Sequence, residues 1–152
     1  MPAHFTAAFA ARLNKFCKLE FVEAQNGQRI EANKGYLAPG DTHLTLQRSG
    51  GQLECRLQRT PPVNGHQPSV DVMFSSVAKV VGSSAIGVLL TGMGTDGADG
   101  LAQMQQRGAV TFAQDEHTSA VWGMPGSAVK QGATDGVLPL QDIAPTFNEL
   151  VR

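Results

Sequence analysis

A carboxylate set among four glycines is the feature of this chain with the plainest chemical meaning. The segment Gly92-Met93-Gly94-Thr95-Asp96-Gly97-Ala98-Asp99-Gly100 follows the apolar run Ala85-Ile86-Gly87-Val88-Leu89-Leu90. Open α/β sheets place ligands and chemistry in the loops that leave the carboxyl ends of their parallel strands. Glycine lets such a loop turn sharply and approach a ligand closely. Asp96, just ahead of a helix N-terminus, is placed to stay ionised and to orient a partner side chain. The same letters support a second reading. Gly92, Gly94 and Gly97 fit G-x-G-x-x-G between a strand and a helix, and Asp115 follows the next strand near the spacing of a ribose-binding carboxylate. Against a dinucleotide site, Asp96 would lie against the pyrophosphate, and the loop comes late in the chain rather than in the first strand–helix turn.

Other side chains offer less. Ser69 and His66 could be joined with Asp96 into a nucleophilic triad on paper, but a serine after Pro68 and before an apolar helical pattern reads as a helix cap. Ser127 follows Gly126 without the G-x-S-x-G turn or a buried strand before it. His4 lies near a helix start, His43 in a strand pattern and His117 in a polar loop, and no two histidines have metal-ligand spacing. Met73, Met104 and Met124 read as core filler, and Cys17 and Cys55 as small buried hydrophobes. No metal and no cofactor is expected.

The elements that must position Asp96 follow from periodicity. Phe5, Phe9 and Leu13 form a helical stripe with Thr6 as its cap. Residues 18–23 alternate as a strand before the Asn26-Gly27 turn, and 35–38 form a short buried run stopped by Pro39-Gly40. The stretches 43–47 and 53–57, joined by Ser49-Gly50-Gly51, make a hairpin. Residues 60–68 carry too many prolines for regular structure. Ser69 then caps a helix, 85–90 and 109–113 are strands covered on both faces, and 101–106 is a helix ended by Gly108. The tail is irregular or in short helical turns to Gly132, with a strand near Val137-Leu138 and a helix from Asp142 to Val151. The 152 residues are thus one α/β domain with a doubly wound, mostly parallel sheet, helices on both faces and an antiparallel hairpin. Because the chain opens on a helix, the sheet is expected to lack its first strand. Apolar residues at 41%, charged residues at 16% and a net charge near −1 give no electrostatic case for nucleic acid or an anionic membrane. No apolar run of 18 residues occurs, so no membrane insertion is expected, and a cytoplasmic location fits.

Several segments together resemble one family. Gly87–Ala98 is similar to the signature loop of chemotaxis protein-glutamate methylesterases. So are Gly35-Tyr36-Leu37-Ala38-Pro39-Gly40-Asp41, Pro61-Pro62-Val63-Asn64-Gly65-His66-Gln67-Pro68-Ser69-Val70-Asp71, Ala113-Gln114-Asp115-Glu116 and Val121-Trp122-Gly123-Met124-Pro125, in the family's order. The resemblance implies a serine hydrolase that demethylates receptor glutamates and deamidates receptor glutamines, with methyl-accepting chemotaxis receptors as partners. It assigns the Asp of a Ser-His-Asp triad to Asp96, and makes the Met93 amide, with Gly94 beside it, a candidate for oxyanion stabilisation. It places the serine and histidine upstream of Met1, along with a regulatory receiver domain, and Gly65 stands where relatives often carry arginine. The 152 residues alone are therefore expected to be inactive. A non-catalytic module that binds receptor or partner, and a nucleotide-binding domain using Gly92, Gly94 and Gly97, are the readings left open.

Overall fold

The computed structural model describes residues Met1–Arg152. Helix α1 (Ala3–Phe16) is followed by β1 (Glu20–Glu23), β2 (Lys34–Leu37), β3 (His43–Ser49) and β4 (Gln52–Gln58). Then come α2 (Val70–Val80), β5 (Ile86–Leu89), α3 (Ala98–Gln106), β6 (Val110–Gln114), α4 (Met124–Lys130), β7 (Gly136–Leu138) and α5 (Leu140–Leu150). The parallel strands form two groups, a β1–β2 pair and a β5–β6–β7 sheet, with β3–β4 as an antiparallel hairpin. The hairpin turn is Gly50-Gly51, both at positive φ, the backbone that matches the twist of the flanking strands.

Alternation decides what each face of β5–β6–β7 meets. Gly87 and Leu89 face α3: a Cβ on Gly87 would stand 2.7 Å from a Leu101 methyl and 3.1 Å from the Met104 sulfur. Phe112, opposite Val88 in the register, points the other way and meets Phe147 of α5 with ring centroids 6.0 Å apart. Helices therefore cover both faces of this sheet. Leu89, Leu101, Met104 and Phe74 form the main core, while Ala24, Leu44 and Cys55 form a smaller one under the hairpin. Met73 of α2 packs against both, so α2 is the element that couples the two halves of the chain.

Three local expectations change. Thr6 is not the cap of α1 but a buried residue inside it, bonding Ala3 O and the Glu23 carboxylate; Pro2 holds the cap position. Small residues, Thr6 and Ala10, form the buried face of α1, while Phe5 and Phe9 face outward at 53% and 39% exposure. The stripe is helical as expected, but β1 lies against its small side, where a close approach to the helix backbone is possible. Cys17 is exposed and Cys55 buried, since Cys17 ends a helix at the surface. The short helical turns expected before Gly132 are α4, with Pro125 in its first turn where a missing N–H costs nothing.

Helices α2 and α3 cross closely at Gly100. A Cβ there would lie 2.6 Å from the Phe74 Cβ and 3.1 Å from the Asp71 Cα. Alanine favours a helix over glycine by about 1 kcal/mol, but overpacking against backbone costs about 1–3 kcal/mol. Gly100→Ala is expected to lower stability by up to about 2 kcal/mol net, read as a lower urea midpoint at unchanged slope.

Candidate active site around Asp96

Strand β5 delivers the chain to the glycine loop, and Gly97 turns it back. Gly97 has φ +94°, and a Cβ would stand 2.6 Å from a Leu89 methyl and 2.9 Å from a Val70 methyl. Both the backbone conformation and the space require glycine. The turn buries Asp96 at 2% exposure beneath the N-terminus of α2. There its Oδ2 accepts the Val70 N–H at 2.7 Å. Its Oδ1 accepts the Ser69 hydroxyl at 2.7 Å, the Asn64 amide at 3.2 Å and the Asp71 N–H at 3.3 Å. Helix N-termini present unpaired N–H groups and partial positive charge, and Asp96 occupies that position for α2. Ser69 Oγ in turn accepts the Val72 N–H at 3.5 Å, so it both caps the helix and donates to the carboxylate.

The relation is reciprocal. Asp71, in the first turn of α2, accepts the Gly100 N–H in the first turn of α3 at 2.7 Å, and also the Asn64 amide at 2.7 Å. Each helix is thus capped by a carboxylate from the other's segment. Burial pushes the Asp96 carboxyl up, but the hydrogen bonds from Ser69, Val70, Asn64 and Asp71 outweigh it and hold the group below its ordinary value. The ion pairs of the chain involve Lys34 and Arg56 and lie elsewhere. Dipoles alone keep Asp96 charged.

The rest of the loop is held from the other side. Gly92 donates to Val121 O, and its carbonyl accepts from Gly123 and Met124. Gln114, 1% exposed, accepts the Thr91 N–H and donates to Thr118, and Trp122 donates to the Gln114 carbonyl. Met93 is 78% exposed, and neither its N–H nor that of Gly94 finds an acceptor in the chain. The three glycines of the dinucleotide pattern have other uses: Gly92 lies under the Met124 sulfur, Gly97 between Leu89 and Val70, and Gly94 at positive φ with His66 Nε2 beyond it. Asp115 is occupied by Thr118.

The Ser69–His66–Asp96 triad does not assemble. The Ser69 hydroxyl rests directly on Asp96 with no imidazole between them, and His66 is held by reciprocal backbone bonds with Val63 across the Asn64-Gly65 turn. His4 lies against the Phe5 ring on exposed α1, and Ser127 is inside α4.

Comparison with known proteins identifies the family of the chain. Residues 1–147 match the family model described as CheB methylesterase. The chain belongs to the CheB methylesterase family. It is 54% identical over 144 residues to a protein-glutamate methylesterase/protein-glutamine glutaminase of Xanthomonas campestris, covering 95% of this chain and 41% of that one. With a counterpart from Hydrogenovibrio crunogenus it shares 50% identity over 152 residues, covering 100% of this chain and 40% of the other. The chain therefore spans about two fifths of the length of these relatives. The CheB methylesterase catalytic domain of Thermotoga maritima superposes with a TM-score of 0.96 at 36% identity, over 99% of this chain and 79% of that one.

Within this CheB methylesterase fold, the sequence reading singles out Asp96 but misses what holds it. Asn64 and Asp71 lie 32 and 25 residues away, beyond any local pattern. A signal existed in Asn64-Gly65, the dipeptide of a tight turn with both residues at positive φ.

Asp96→Asn is isosteric, and on sequence grounds it should leave folding nearly untouched. The geometry says otherwise, because both carboxylate oxygens accept backbone N–H groups and an amide must turn its NH2 toward one of them. The substitution is expected to cost about 1–3 kcal/mol at pH 7. A lowered carboxyl stabilises the fold fully above the unfolded value of 3.8 and loses that contribution as pH falls from there through the lower folded value. The gap between wild type and Asp96→Asn should accordingly shrink from pH 7 to pH 3, measured by urea denaturation at each pH.

Proposed function

We propose that this chain supplies the acid member and part of the oxyanion site of a serine hydrolase centre. Its substrates are glutamate methyl esters and selected glutamines of chemotaxis receptors. One observation carries the reading: a buried, ionised Asp96 whose position is over-determined by hydrogen bonds, at the carboxyl end of a parallel strand. A carboxylate offers about four lone-pair directions. Oδ1 receives three donors and Oδ2 one, so Oδ2 retains capacity for an imidazole N–H. In that role Asp96 selects the histidine tautomer and stabilises the imidazolium without taking the proton. The unpaired Met93 and Gly94 N–H groups are free to receive the negative oxygen of a tetrahedral intermediate. One chemistry serves both reactions, since serine attack on the acyl carbon expels methanol from an ester or ammonia from an amide, and water then releases glutamate.

The nucleophilic serine and the histidine belong, on this reading, to a segment upstream of Met1 in a longer cytoplasmic protein that also carries a receiver domain. Strand β5 ends its sheet with one edge unpaired, which supports a further strand beside it. The names of the relatives, and the fraction of their length that this chain spans, support the same view.

Methanol release from methylated receptor tests the proposal. The 152-residue polypeptide is expected to release none above buffer. A longer polypeptide bearing the upstream serine and histidine should turn over, and Asp96→Asn should reduce its kcat by up to about 10⁴-fold. Turnover by the 152 residues themselves, abolished by Ser69→Ala, would overturn the assignment.

A further inference from the structure

We propose that His43 is a positioning residue for Asp96, acting through Ser69. The inference rests on the reading of Asp96 as the orienting acid. His43 is the first residue of β3 and is 0% exposed. Its Nδ1 lies 3.1 Å from the Ser69 nitrogen and its Nε2 lies 3.0 Å from the Pro61 carbonyl oxygen. An N–H can only donate and a carbonyl can only accept. Nδ1 is therefore the acceptor and Nε2 carries the proton, so the two partners select one neutral tautomer.

The position of the ring matters as much as its tautomer. Residues 59–69 form the loop between the hairpin and α2, and His43 holds it near both ends, at Pro61 and at Ser69. Two side chains of that loop, Asn64 and Ser69, donate to Asp96. The Ser69 hydroxyl lies 2.7 Å from Oδ1, and its direction follows from where the Ser69 backbone is pinned. The ring itself cannot serve as a base, since both nitrogens are used and no solvent reaches it. An apolar side chain would fill the volume but leave the Ser69 N–H and the Pro61 carbonyl buried without partners.

Two substitutions separate the two nitrogens. His43→Asn carries an amide oxygen near the place of Nδ1 and keeps the acceptor for Ser69. His43→Gln carries an amide nitrogen near the place of Nε2 and keeps the donor to Pro61. In the 152-residue chain, carbon-13 titration of the Asp96 carboxyl should show its midpoint rising toward the ordinary carboxylate value in His43→Gln and moving less in His43→Asn. Ser69→Ala, which deletes the hydroxyl and keeps the backbone N–H, should reproduce the rise. Nitrogen-15 shifts of wild-type His43 should report the Nε2–H tautomer. In the longer, active polypeptide, His43→Gln should lower kcat about tenfold or more with KM little changed, as for other outer-shell partners, and His43→Asn should restore most of the loss. Equal titrations in Asn and Gln variants, an unmoved Asp96 in Ser69→Ala, or an Nδ1–H tautomer would each overturn the proposal. If neither His43 variant folds, Ser69→Ala and the wild-type tautomer still decide it. Normal turnover in Asp96→Asn would instead remove the catalytic reading of Asp96, while the carboxyl titrations would continue to report on His43.

Discussion

The reciprocal capping of α2 and α3 is the interaction on which the rest of this structure depends. Asp96, from the loop that precedes α3, accepts the first N–H groups of α2, and Asp71, from α2, accepts the Gly100 N–H of α3. Helix N-termini leave donors that must be paired somewhere. Here two helices solve the problem for each other, and in doing so they fix their own crossing. Gly97 and Gly100 make the approach possible, because a Cβ at 97 would stand 2.6 Å from Leu89 and 2.9 Å from Val70, and one at 100 would stand 2.6 Å from Phe74, closer than real side chains come. The main core of Phe74, Leu89, Leu101 and Met104 then closes around the crossing.

A buried carboxylate with no cationic partner is ordinarily costly. Asp96 tolerates burial because four donors and a helix N-terminus replace the water it lost, and hydrogen bonds to an ionised group are the stronger kind. Such an arrangement also has a consequence that a salt bridge would lack. A lysine or arginine at this site would neutralise the charge. Dipoles hold the carboxylate in place without neutralising its charge.

The scaffold extends one layer further through the hairpin. β3–β4 presents Leu44 and Cys55 to the smaller core and places His43 near both ends of the 59–69 loop. The free edge of β3 is covered by α2, where the Ser76 hydroxyl accepts the Leu46 N–H and Arg48 donates to the Val80 carbonyl. Hydrogen bonds thus tie hairpin, loop and helix to the donors of Asp96. On the opposite side, Gln114 and Trp122 tie the 118–122 segment to the start of the glycine loop. The loop that carries Asp96 is hydrogen-bonded at both flanks, while Met93 stays exposed at its tip.

What the amino-acid order determined by itself was everything encoded within a few residues. The hairpin at Gly50-Gly51, the cap at Ser69, strand β5 and the helix after the glycine loop follow from local periodicity and turn chemistry, and the structure has them close to where those patterns end. Asp96 stood out in the sequence mainly because its glycine loop resembles a family signature. Tertiary structure alone decided which residues serve it. Asn64, Ser69, Asp71 and His43 reach Asp96 or one another across 25 residues or more, and no periodicity links positions so far apart. It also decided that the small side of α1 packs inward, because helical spacing defines an apolar stripe but the neighbouring strand selects which face it can approach. The two φ-positive glycines at 94 and 97 belong to both accounts. Their type permits a turn, but only the packed helices α2 and α3 show that the turn at 97 exists to bring a carboxylate under a helix end, where its charge is held by dipoles.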